Sequence, residues 1–136
     1  MGMNEMDTSL CNDDDIRLMV TRFYARVRTD EVLGPVFDAH IDDWDAHLKL
    51  LEDFWSSMLC RSGRFLGAPM PKHIALPDLN ADMFHRWLAL FADTLSTHPN
   101  QPMARQAIEM ATRIANRLWL GYQMGNFLDR PAEPLR

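Results

Sequence analysis

Three sets of side chains in this 136-residue chain have types and spacing that could do chemistry. His73 lies among Met70, Ile74 and Leu76, in a stretch whose Gly63, Gly67, Pro69, Pro71 and Pro77 forbid a long helix. A neutral imidazole in such a setting suits a metal ion. The plainer reading is a loop histidine bonded to a backbone carbonyl. Tyr24, His47 and Trp87 fall on the inward stripes of three different helical segments, and each can donate a hydrogen bond. Taken singly, each is an ordinary core residue whose polar atom has found a partner. Taken together, they are three donors able to converge on one pocket. Trp44, Trp55, Trp87, Trp119 and seven Phe could wall a flat macrocycle, although core packing uses the same residues.

Helices must position these groups. Ala and Leu together number 30 against 15 for Val, Ile and Thr, a balance that favours helix over strand and makes the fold class all-α. Ile16, Met19, Val20, Phe23, Tyr24 and Val27 form a stripe over about 13–28, capped by Asn12 or Asp13 with acidic residues in the first turn. Gly34-Pro35 reads as a break that leaves Val36 and Phe37 in a short connector. Asp42 or Asp43 caps a second helix reaching about Cys60, with Trp44, His47, Leu48, Leu51, Phe54 or Trp55, Met58 and Leu59 inward. Residues 61–80 are an unusually long connection, and such segments are often functional. A single helical turn fits around Lys72–Ala75. Asn80 caps a third long helix carrying Phe84, Trp87, Leu88, Phe91 and Leu95, which His98-Pro99-Asn100 ends. Pro102 opens a fourth, with Met103, Ala107, Ile108, Ala111, Ile114, Ala115, Leu118 and Tyr122 on one face. The expected layout is a flexible arm over 1–12, one domain over 13–123, and a flexible tail over 124–136.

Composition excludes several classes. The net charge of −5 offers no cationic field for nucleic acid or anionic lipid. No apolar stretch approaches the ~20 residues of a membrane span, and the acidic N-terminus has no signal core. Cys11 and Cys60 form neither a disulfide framework nor a CxxC motif, so the reading is a soluble, reduced, cytoplasmic domain. There is no HExxH, phosphate loop, GxSxG or zinc quartet. Carboxylates are scattered over solvent faces, and His40, His85 and His98 read as surface or helix-end residues.

The ordered set of these residues resembles the third group of the truncated haemoglobins. It comprises Phe23-Tyr24, Leu33-Gly34-Pro35-Val36-Phe37, Trp44-x-x-His47 and Phe54-Trp55-x-x-Met58-Leu59. Gly67-x-Pro69-Met70-x-x-His73-x-x-Leu76 and Phe84-x-x-Trp87-x-x-x-Phe91 complete it. The likeness runs from Ile16 to about Tyr122, and the absence of paired glycines is a habit of that group. It implies a globin-like two-over-two helical sandwich around non-covalent haem b (iron protoporphyrin IX), which agrees with the lack of CxxCH. By this resemblance His73 is the proximal iron ligand, while Tyr24, His47 and Trp87 line the distal side as ligand-stabilising groups. His47 is also a candidate distal ligand. Leu51 and Trp55 lie deeper, Phe37 packs on the porphyrin edge, and Lys72, Arg61 and Arg64 are the cations nearest the pocket in sequence. The function implied is binding of dioxygen and other diatomic ligands at five-coordinate iron. Its enzymatic variant is a peroxidase or nitric-oxide-consuming protein fed by an external reductase, because no flavin or nicotinamide motif is present. The rival class is a haem-free helical interaction module.

Overall fold

The computed structural model describes residues 10–63 and 79–135. Those residues form five helices and no strand: α1 (Asp13–Thr29), α2 (Leu33–His40), α3 (Trp44–Leu59), α4 (Ala81–Leu95) and α5 (Gln101–Asn126). None of them is long and apolar enough to cross a membrane.

Local chemistry sets the ends. Asn12 accepts from Asp15 N at 2.9 Å while the Asp15 carboxylate accepts from Asn12 N, a capping box that starts α1. Asp43, Asn80 and Asn100 each accept a backbone N–H three residues on, starting α3, α4 and α5. Asn100 also donates to Leu10 O at 2.8 Å and Asp15 Oδ2 at 2.9 Å, joining the origins of α1 and α5.

Helix α2 corrects the expected connector at Gly34-Pro35. Pro35 stands in the first turn, where its missing N–H has no helical partner to lose. The Asp30 carboxylate supplies the start by accepting from Val32 N at 3.0 Å and Leu33 N at 2.8 Å. Gly34 is buried because α2 lies hard against the end of α1, and a Cβ there would sit 2.7 Å from the Arg28 carbonyl oxygen. The obstacle is backbone and cannot swing away, so Gly34→Ala is expected to destabilise the fold by about 1–3 kcal/mol, read as a lower urea midpoint at unchanged slope.

Helix α1 packs on α2, α3 and α4, α4 packs on α5, and α3 touches α5. The antiparallel pairs α1/α3 and α4/α5 give the two layers of the all-α sandwich. One apolar cluster gathers Ile16, Met19, Val20, Phe23 and Val27 with Trp55, Leu59, Phe91, Met103 and Ala107. A second joins Leu79, Phe84, Ala115, Leu118 and Tyr122. Arg26 crosses from α1 to α4, with Nη1 on Thr94 Oγ1 at 3.0 Å and Nη2 on Asp93 at 2.7 Å.

Two further expectations are revised, and the residues after Gln123 make contacts of their own. Cys11 and Cys60 are joined in a disulfide, so the reduced state expected for them does not hold. Their 49-residue separation carried no signal, and the antiparallel α1/α3 pair brings the Cα atoms to 5.6 Å. By restricting the unfolded chain, such a bridge contributes about 4 kcal/mol. His98 stands at a helix end, as expected, but is buried rather than superficial: Nε2 meets Asp15 O at 3.0 Å and Nδ1 accepts from Asn100 N at 2.9 Å, so both ring nitrogens are used at the α4–α5 corner. Finally, α5 extends three residues past Gln123, and the following chain returns along it. Gln123 pairs with both backbone groups of Glu133, and Asn116 Oδ1 accepts from Leu135 N at 2.8 Å.

Candidate functional site

The α1 stripe places Tyr24 in the interior, 5% exposed. Burial pushes its hydroxyl pKa well up, against the opposing effect of a hydrogen bond from the Trp87 side chain, so the phenol stays neutral and protonated. Indole has only an N–H to give, so Trp87 donates and the Tyr24 oxygen accepts.

The His47 ring stands edge-on to Tyr24 at 6.3 Å and to Trp44 at 5.9 Å. Phe37, carried by α2, completes the wall at 6.1 Å from Tyr24 and 6.5 Å from Trp44. Trp44 is itself held, its Nε1 donating to Asp38 at 3.0 Å while the Arg28 guanidinium lies 4.5 Å over its ring. Behind the wall, Phe23 meets Tyr24 at 4.8 Å and Trp87 at 5.3 Å. Trp87 stacks on Phe91 at 5.5 Å, and Phe91 on Trp55 at 5.4 Å.

Exposure differs along this assembly. Trp55 and Leu59, in the later turns of α3, are closed off by the core. Trp44, His47, Leu48, Leu51 and Trp87 are only half-buried although they belong to inward stripes, and so is Phe37 on α2. The arrangement is a partly open aromatic wall around a neutral buried hydroxyl. It can hold a flat apolar group by contact and offer a proton to a small ligand beside it.

The structure thus brings together Tyr24, His47, Trp87 and Phe37, with Leu51 at the margin of the first cluster. Trp55 is an element of the core stack behind the wall. Arg61 is exposed, just past α3, in the left-handed region at φ 59°. Lys72, His73 and Arg64 lie outside the described residues, as does the helical turn expected around Lys72–Ala75. Among the described residues no group of three or more His, Cys, Asp or Glu could hold a metal ion.

Sequence reasoning missed Asp30, Arg86 and the placement of Tyr122. Asp30 accepts from Arg86 Nε at 2.8 Å besides starting α2, so one carboxylate fixes α1, α2 and the residue preceding Trp87. Its partner lies 56 residues away, and no local pattern announces it. The Arg86 guanidinium, helped by the Leu33 and Val32 amides, lowers the Asp30 pKa to about 2. A folded value below the unfolded one stabilises the protein above about pH 4, and this contribution is lost as pH falls towards 2. With Arg86 partly in solvent, screening by water keeps the effect modest. Asp30→Asn should therefore lower the urea midpoint at pH 7, and the difference should shrink between pH 4 and pH 2. Tyr122 OH accepts from Leu79 N at 3.1 Å inside the second cluster, fixing the chain just ahead of α4.

Comparison with known proteins bears on what this wall serves. No protein-family model matches the chain. Over 109 residues it is 33% identical to the group 3 truncated hemoglobin ctb of Campylobacter jejuni, a match covering 77% of this chain and 86% of that one. The crystal structure of a group III truncated hemoglobin from Campylobacter jejuni superposes with a TM-score of 0.74 at 32% identity. That match spans 79% of this chain and 88% of the other.

Proposed function

Since the chain belongs to the group 3 truncated haemoglobins, we infer that its half-open aromatic wall receives a non-covalent haem b and that His73 is the iron's protein ligand. The observation that carries this reading is Tyr24: a buried, neutral hydroxyl beside the Trp87 indole, set in a wall of rings. The residues fit the group. A porphyrin needs flat apolar contact, which Phe37, Trp44, Leu48 and Leu51 offer from two helices. The haem supplies an iron centre able to take dioxygen and other diatomic ligands.

The remaining work belongs to side chains. Tyr24 donates its hydroxyl hydrogen to a ligand that gathers negative charge, and burial keeps that proton in place. Trp87, beside the phenol, is proposed to steady its oxygen, so that the two act as one donor system. His47, its ring 6.3 Å from that of Tyr24 and 5.9 Å from that of Trp44, is proposed to hydrogen-bond the ligand or to compete for the iron. Lys72, Arg61 and Arg64 are the cations proposed for the haem propionates. A donor this well held suits chemistry on a retained ligand better than rapid delivery. Electrons for such chemistry would come from a separate reductase or small reductant.

Absorption spectroscopy of the purified protein, oxidised and then reduced, tests the reading. An intense near-ultraviolet haem band that shifts on reduction is expected, and a colourless protein would overturn it. A six-coordinate spectrum that becomes five-coordinate in His47→Ala would make His47 a ligand; an unchanged spectrum would leave it a hydrogen-bonding residue.

A further inference from the structure

We propose that Cys11–Cys60 is a reversible thiol–disulfide site, exchanged by dithiols in the folded protein, which sets the register of α1 against α3. Cys11 immediately precedes the Asn12 cap of α1, and Cys60 is the residue closing α3, so the bridge spans matching ends of an antiparallel pair. Tyr24 and His47 are each thirteen residues from their cysteine (24 − 11 and 60 − 47), on facing helices with their rings 6.3 Å apart. A bond that fixes the helix ends fixes how those two residues meet.

The two cysteine residues differ in exposure. Cys11 is 8% exposed, whereas Cys60 is half-buried, so an incoming thiolate reaches Cys60 first. Attack on Cys60 Sγ forms a mixed disulfide and expels the Cys11 thiolate, which takes a proton. The reagent's second thiol then closes its own disulfide and releases Cys60 as a thiol. Two electrons pass from dithiol to cystine, and an oxidised dithiol reverses the exchange.

Other contacts hold both ends in place while this happens. Asn100 grips the Leu10 carbonyl, and the Asn12–Asp15 box keeps α1 started. At the other end the Ser62 amide donates to Ser56 O at 3.3 Å, and the Ser56 and Ser62 hydroxyls bond each other. Reduction therefore frees the register without dissolving the helix ends.

The test exposes the protein as purified to graded dithiothreitol at neutral pH without denaturant, titrating thiols and recording the melting midpoint. Two thiols should appear together in the folded protein, with the midpoint lower by on the order of 10 °C. Cys11→Ser and Cys60→Ser should each melt at the reduced value and ignore the reagent. Thiols that appear only on unfolding, or that appear with no change in midpoint, would overturn the proposal, as would a protein whose free thiols fail to pair under an oxidised dithiol. Its effect on the ligand rests on the haem reading: oxygen release from the haem-loaded protein should quicken severalfold on reduction. An unchanged release rate beside an intact haem band would overturn the register effect alone. A missing haem band would refute the haem reading, leaving thiol count and midpoint to decide the exchange.

Discussion

Replacing His73 by alanine is expected to yield a protein that no longer retains haem. On the reading proposed above, the non-covalent haem depends on the His73 imidazole and on contact with the wall. Contact alone leaves the porphyrin free to leave, because Phe37, Trp44, Leu48 and Leu51 supply area without a directional bond. A ligand present at ~1,000 times its dissociation constant contributes about 4 kcal/mol to folding, so the variant should also melt well below the parent. Absorption after gel filtration reads the first effect and calorimetry the second. A variant with full haem content and an unchanged midpoint would remove His73 from its assigned role.

Tyr24→Phe has the next largest expected effect. A hydrogen bond to a charged acceptor contributes about 1.5–3 kcal/mol, so loss of the phenol hydrogen should speed oxygen release roughly ten- to hundredfold. Because the Trp87 N–H is engaged with the phenol oxygen, the two positions should be strongly non-additive. Trp87→Phe frees the phenol to turn, giving a smaller change than Tyr24→Phe, and the double variant should resemble Tyr24→Phe alone. Stopped-flow displacement of oxygen measures all three. Equal and additive effects would show two independent donors.

Much of this fold can be read from residue spacing because long amphipathic helices repeat their signal. The stripe from Ile16 to Val27 matches the buried face of α1 residue for residue. The Asn80 cap and the Pro102 opening fall at true helix starts. What the spacing could not show depends on distance in sequence. Helix α2 forms because Asp30, outside it, takes over its free amides, so Gly34-Pro35 misleads anyone reading only the local pair. His98 looks superficial beside Pro99, yet the far end of α1 covers it. The site was half legible. Donor types on inward stripes marked Tyr24, His47 and Trp87, but not that Trp87 would be tied to the Tyr24 oxygen. Trp55, expected deeper in the pocket, stacks on Phe91 behind the wall, a partner that no local spacing announces.

The cystine also bears on how the chain reaches this shape. Ile16 and Leu59 are 43 residues apart along the backbone, but across the bridge they are separated by five steps on one side and one on the other (16 − 11 and 60 − 59). Contacts that would otherwise wait on the closure of a long loop become neighbours, and such non-local pairings ordinarily slow collapse to the native topology. An oxidised chain emerging from denaturant thus starts its search with α1 and α3 already in reach of each other, so α4 and α5 can dock onto a preassembled pair.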